Sequence, residues 1–157
     1  YENIVTDNEH FYIVNKIKKI CVIPYTLTSE GILDKIGVFK NLDVSNESAN
    51  YVLINGYISE DDATNLVCAN RLLFEHINQN IEKANKWTYL GKLDNLSIGS
   101  GIIVYGVDIS DLNIEQINNN DSKFKMIKTN KVSASDDALF LSSFLRLFNY
   151  IYVKSFN

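Results

Sequence analysis

The stretch GYISEDDATNLVCANRLLFEHIN, residues 56–78, changes character in its middle. Its start belongs to YVLINGYI, a β-branched and aromatic segment that reads as a short strand, with Gly56 marking a bend or a close approach of backbone. From Asp62 onward Leu66, Ala69, Leu73 and Ile77 recur on one stripe at the helical period. Asp61, Asp62 and Thr64 stand where capping side chains satisfy the first free N–H groups, and the Asn-rich NQNIEKAN ends the helix. The segment is thus a strand, an acidic turn and an amphipathic helix. Arg71 and Glu75, four residues apart, share a helix face.

Upstream, FYIVNKIKKICVIPYTLT (residues 11–28) predicts one or two strands, and Pro24, the single proline, points to a strand edge or a bulge because it cannot donate to a ladder. GILDKIGVFKNLD follows a Ser-Glu-Gly signal and predicts a hairpin turning through residues 28–31. SNESAN is a polar loop. Downstream, KWTYLGKL and GIIVYGVDIS predict two strands joined by the turn DNLSIGSG, followed by a short acidic helix or loop, DLNIEQINNND. SDDALFLSSFLRLFNYIYVK predicts a terminal helix opened by Ser135 and two acids. Its apolar residues nearly encircle it, so close burial is expected.

At 157 residues and 46% hydrophobic, the chain has the size of one domain with its own core. Its formal charge of -4, with no basic stripe, argues against general nucleic-acid binding. No apolar run is long enough to span a bilayer and YENIVTDNEH has no signal-peptide pattern, so a chain that is neither membrane-bound nor secreted is expected. Cys21 and Cys68 lie in apolar runs without metal-ligand spacing, which predicts buried free thiols, a disulfide being the minor alternative. The chain opens on Tyr1, and a piece of a larger or processed polypeptide is expected.

The order of strands, central loop and helix, further strands and terminal helix resembles the Nudix superfamily over nearly the whole chain. That family's box runs G-x5-E-x7-R-E-U-x-E-E-x-G-U, with U a bulky apolar residue. With Arg71 on the box arginine, Gly56 falls on the glycine that commonly precedes the box, and Tyr57 on the box glycine. Glu60 falls where many members carry a loop acid, and Ala63 on the first glutamate, with Asp62 one residue earlier. Leu72 takes the place of the glutamate beside the arginine. Leu73 and Glu75 keep the pattern, His76 replaces the last glutamate and Asn78 the closing glycine.

The resemblance implies an α+β fold in which a mixed, curved β-sheet is sandwiched between the box helix and the terminal helix, as a single domain over residues 1–157. It also implies that helix-borne glutamates bind magnesium or manganese, which bridge a diphosphate and activate water. Here that face offers a leucine, one carboxylate and an imidazole, a poor set for magnesium. The expected function is therefore a non-hydrolytic binding or structural module. Gly56, Arg71 and Leu72 would be structural box residues, and no catalytic residue, cofactor or metal is expected. Leu72 should be buried, and Arg71 should tie the box loop to the helix through backbone carbonyls or Glu75. A protein partner, or the rest of a larger polypeptide, would be its counterpart.

The alternative is a divergent metal-dependent nucleoside diphosphate pyrophosphohydrolase. In it Glu60, Asp62 and Glu75 rebuild a magnesium or manganese cluster, with Glu60 and Glu75 the metal ligands and His76 a base or ligand. A further alternative is a protein-interaction module of unrelated α+β fold, which a large exposed apolar patch away from the cleft would favour. Arg71 with Glu75 also fits a weak surface pair, and His76 a solvated imidazole. Richness in Asn, Ile, Lys and Tyr suits an AT-rich genome, such as those of many phages and of AT-rich bacteria or protists, and bears on source rather than function. A cytoplasmic or virion-associated setting is expected. The serines between the strands lack the context of a phosphate loop or a nucleophile elbow.

Overall fold

The computed structural model describes residues 17–40, 51–95, 100–118, 124–130 and 138–155. SNESAN, the tip of the DNLSIGSG turn, residues 11–16 and the opening of the terminal helix lie outside them.

The apolar run of the first strand is explained by burial on both faces. In β1 (Ile17–Leu27), Ile20 and Val22 belong to one core cluster and Cys21, Ile23 and Tyr25 to another. Alternate side chains leave opposite faces of a strand, so a strand at the centre of a three-layer molecule needs apolar residues at every position. β1 runs parallel to β6 (Ser100–Asp108) along one side. Along its other side it pairs first with β4 (Ile54–Tyr57) and then with β2 (Leu33–Lys40), both antiparallel. Pro24 lies inside this central strand, neither at a sheet edge nor at a bulge. It follows the last β4 partner, Val22, and precedes the first β2 partner, Tyr25, so its missing N–H falls where lateral pairing changes hands.

The turn at residues 28–31 is the predicted hairpin. Thr28 N–H donates to Ile32 O (2.7 Å), Gly31 N–H donates to Thr28 O (2.9 Å), and Gly31 takes φ +81°, which glycine adopts without steric cost. YVLINGYI is two strands: β3 (Tyr51–Val52) pairs with β2, the chain breaks at buried Leu53, and β4 joins β1. β5 (Trp87–Asn95) is antiparallel to β6, and KFKMIK contributes β7 (Phe124–Lys128) against β2. The result is a seven-stranded mixed sheet of order β3-β2-β1-β6-β5, with β4 on β1 and β7 on β2.

Helix α1 (Asn65–Ile77) covers one face, with Cys68, Ala69, Leu72, Leu73 and Ile77 in the cluster that holds Ile20, Val22 and Ile103. The short α2 (Ile114–Asn118) closes the same layer through Ile117. Helix α3 (Ala138–Ser155) covers the other face through Phe140, Leu147 and Ile151. The expectation that α3 is buried all round is corrected: Leu145, Phe148, Tyr152 and Val153 are exposed, because only one side of the helix meets the sheet. Among the described residues no helix is long and apolar enough to cross a membrane. Both cysteines are buried and neither is in a disulfide.

Candidate functional site

The strand, turn and helix of residues 56–78 close on one another through a polar network centred on Arg71. Thr64, in an extended conformation, caps α1 by accepting from Val67 N–H through Oγ1 (3.1 Å). Asn78 ends the helix at φ +58°, with its N–H donating to Phe74 O (2.8 Å). Asparagine tolerates this left-handed conformation better than other non-glycine residues, so it can stand where the box pattern has glycine.

Between β4 and α1, Ser59 and Asp62 form a reciprocal turn. Ser59 N–H donates to Asp62 Oδ2 (2.8 Å) and Asp62 N–H donates to Ser59 O (3.0 Å). Asp62 is 4% exposed, and its carboxylate takes Arg71 Nε at 3.1 Å and Nη2 at 2.9 Å, a two-point contact. Arg71 Nη2 also donates to Tyr57 O (3.1 Å), and Nη1 reaches Glu75 Oε1 at 3.4 Å. The guanidinium therefore ties the last residue of β4, the turn and the helix together. Its hydrogen bonds hold the Asp62 carboxyl below the usual range, and Asp62 in turn raises the arginine. Burial, then the nearby Asp62 carboxylate, pushes the neighbouring Cys68 thiol up to about 12, so it stays protonated and unreactive at neutral pH.

The remaining box positions point different ways. Leu72 is 4% exposed and lies against Gly56, where an added Cβ would sit 2.5 Å from Leu72 Cδ2. Gly56 thus marks a close approach of strand and helix, which any side chain would obstruct. Glu75 is half exposed beside Arg71, and Glu60 is exposed in the turn. His76 is half-buried, unlike the solvated imidazole of the simple surface reading. Its ring meets Phe39 edge-on at 4.5 Å and stacks on Phe124 at 5.8 Å between centroids. Burial depresses its pKa, and Glu75 opposes that shift only partly. Among the described residues no group of three or more His, Cys, Asp or Glu side chains is placed to hold a metal ion.

Sequence reasoning located Arg71 and its tie to a backbone carbonyl but assigned Asp62 to capping or to a metal. The spacing carried the missing signal: Asp62 stands one residue before the box's first acid, close enough for the turn to bring it to the arginine. The aromatic surround of His76 had no such signal, because Phe39 and Phe124 arrive from β2 and β7, far away in sequence.

No protein-family model matches the chain, and no curated protein matches it. Solved structures do. A chain of the complex between the C-terminal domain of mouse MUTYH and human PCNA superposes with TM-score 0.61 at 8% identity, over 84% of this chain and 87% of that one. A Nudix hydrolase from Listeria monocytogenes, described as putative, superposes with TM-score 0.57 at 12% identity, covering 87% and 95%. Shewanella oneidensis NrtR gives 0.59 at 17%, covering 85% of this chain and 64% of that one. Identities this low establish the fold alone: the chain has a Nudix-like α+β fold.

Proposed function

We propose that this Nudix-fold chain is a non-hydrolytic binding or structural module, working with a protein partner or within a larger polypeptide or assembly in a cytoplasmic or virion setting. One observation carries the reading. The helix face where the resemblance would place metal-binding glutamates is engaged with protein: Leu72 against Gly56, His76 among Phe39 and Phe124, and Glu75 beside Arg71. A magnesium ion needs several converging oxygens at about 2.1 Å, and a leucine in van der Waals contact with a strand leaves no place for one of them. The arginine and its buried acid, by contrast, stabilise the loop whether or not chemistry follows.

Neighbouring folds include an ADP compounds hydrolase and a C. elegans Ap4A hydrolase, and these supply the competing reading and its substrates. The test is cleavage of ADP-ribose and diadenosine tetraphosphate into adenine nucleotides, read by chromatography with magnesium or manganese present, for the native chain and for Glu75→Gln. The proposal expects no turnover above background in either. Turnover by the native chain that vanishes in Glu75→Gln would establish the hydrolase instead, with Glu60, Asp62 and Glu75 as the groups to pursue and His76 as base or ligand.

A further inference from the structure

The face of α3 turned away from the sheet has a composition unlike the rest of the chain. Residues 138–155 include Arg146 and Lys154 and no acid, Asp136 and Asp137 preceding them in the sequence, whereas the whole chain has 19 acidic residues against 15 basic ones. Leu145, Asn149 and Val153, four residues apart, run down its outward stripe, with Leu145 55% and Val153 59% exposed. On one flank lie exposed Phe148 and Tyr152, whose rings stack at 6.4 Å. On the other, Arg146, Tyr150 and Lys154 border an open groove of about 670 Å³ whose far wall is Tyr89 and Leu90 of β5.

Arg146 is held in place there. β5 slips register between Tyr89 and Gly91, which turns Leu90 O toward α3 to accept from Arg146 Nη1 at 3.0 Å. Gly91, at φ +106°, has no Cβ to collide with that guanidinium. Among the described residues Arg146 has no carboxylate partner, so the fork presents positive charge beside apolar surface at little further ordering cost. The ammonium of Lys154 lies over the Tyr150 ring at 5.8 Å on the same flank.

From this juxtaposition we infer that the outer face of α3 is a docking surface for an acidic amphipathic helix of a protein partner. The partner's apolar residues lie on Leu145, Phe148, Tyr152 and Val153, and its carboxylates face Arg146 and Lys154. Charge decides among occupants. A second copy placing its own α3 here would set cations against cations, and a small anionic ligand would leave most of the apolar stripe in water. An amphipathic helix matches both the apolar stripe and the flanking charge. This inference specifies the partner of the module proposed above, and its test reads α3 independently of hydrolysis.

The experiment titrates the full chain, observed by amide NMR and calorimetry, with a synthetic helical peptide carrying leucines on one face and glutamates at its flanks. A sequence-matched peptide with lysine for glutamate is the control. The acidic peptide should bind and shift resonances along residues 145–154, with the lysine peptide at least about tenfold weaker. Lys154→Glu should weaken the acidic peptide about fivefold and Val153→Asp about tenfold or more. Neither substitution touches the Arg146 contact that braces β5, and a thermal melt of each variant checks that it is folded. Equal binding of the two peptides, shifts elsewhere, or no binding at millimolar peptide would overturn the assignment. So would a concentration-dependent dimer abolished by Val153→Asp, which gives the face to a second copy. Peptide binding together with nucleotide hydrolysis would overturn the non-hydrolytic reading alone, and loss of both would overturn this one alone.

Discussion

Helices α1 and α3 flank the same sheet, yet they use their polar side chains in opposite ways. α1 turns Arg71 back on its own loop, where it meets a buried carboxylate and the Tyr57 carbonyl, and it packs His76 into aromatic surroundings. α3 anchors one guanidinium N–H on Leu90 and leaves its exposed aromatic and aliphatic residues facing outward. The comparison teaches that a resemblance can draw attention to one helix while the exposed apolar and basic side chains lie on the other. Within the box-like segment the arginine is the fastening between strand, turn and helix.

The largest expected difference between the two sides comes from removing that fastening. Arg71→Ala leaves Asp62 charged and buried without its partner, and should lower unfolding free energy by about 3 kcal/mol in urea titration. The figure sits at the low end for a broken buried pair because the arginine itself is partly exposed. Gly56→Ala comes next. Its Cβ forces the tip of Leu72 aside, costing about 1–2 kcal/mol, and Leu72→Ala in the same chain should remove the clash and make the double change less than additive.

Acid should separate the two sides further. His76 has its pKa depressed below 6.5 in the folded chain, so the unfolded state takes up the proton first. Its contribution is complete above about pH 6.5 and is lost as pH falls from there through the folded value. Asp62, depressed below 3.8, contributes above that pH and is lost in a second, more acid phase as the carboxylate protonates. Hydrogen exchange should therefore show α1 loosening before α3 on acidification. His76→Phe should remove the earlier phase and leave the later one. On the other side, Phe148→Ser should cost no more than about 1 kcal/mol, since the ring it removes is about half exposed and its covered part meets Tyr152 and Phe144.

Legibility followed how local each determinant was. The hairpin at residues 28–31 and the extent of α1 could be read directly, because a Gly-containing turn and a 3.6-residue stripe are written in contiguous residues. Arg71 could be placed by spacing along one segment. The partner switch at Pro24 could not, since it depends on where β4 ends and β2 begins. Nor could the burial of His76, which needs Phe39 and Phe124 from two distant strands. α3 misled for a different reason: an apolar residue on each side of a helix says nothing about which sides are covered, and its outer aromatics look like core until the sheet is seen on one side alone.

The central claim is that packing fills the Leu72 position of the box face of α1, and Leu72→Glu tests it most directly. Thermal melts of this variant are recorded with and without millimolar magnesium. A carboxylate forced against Gly56 and the surrounding core should lower the melting temperature by roughly 10 °C, with no recovery when metal is added. A melting temperature equal to or above that of the native chain, rising further with magnesium, would contradict the account and mark the face as a metal site awaiting its ligand.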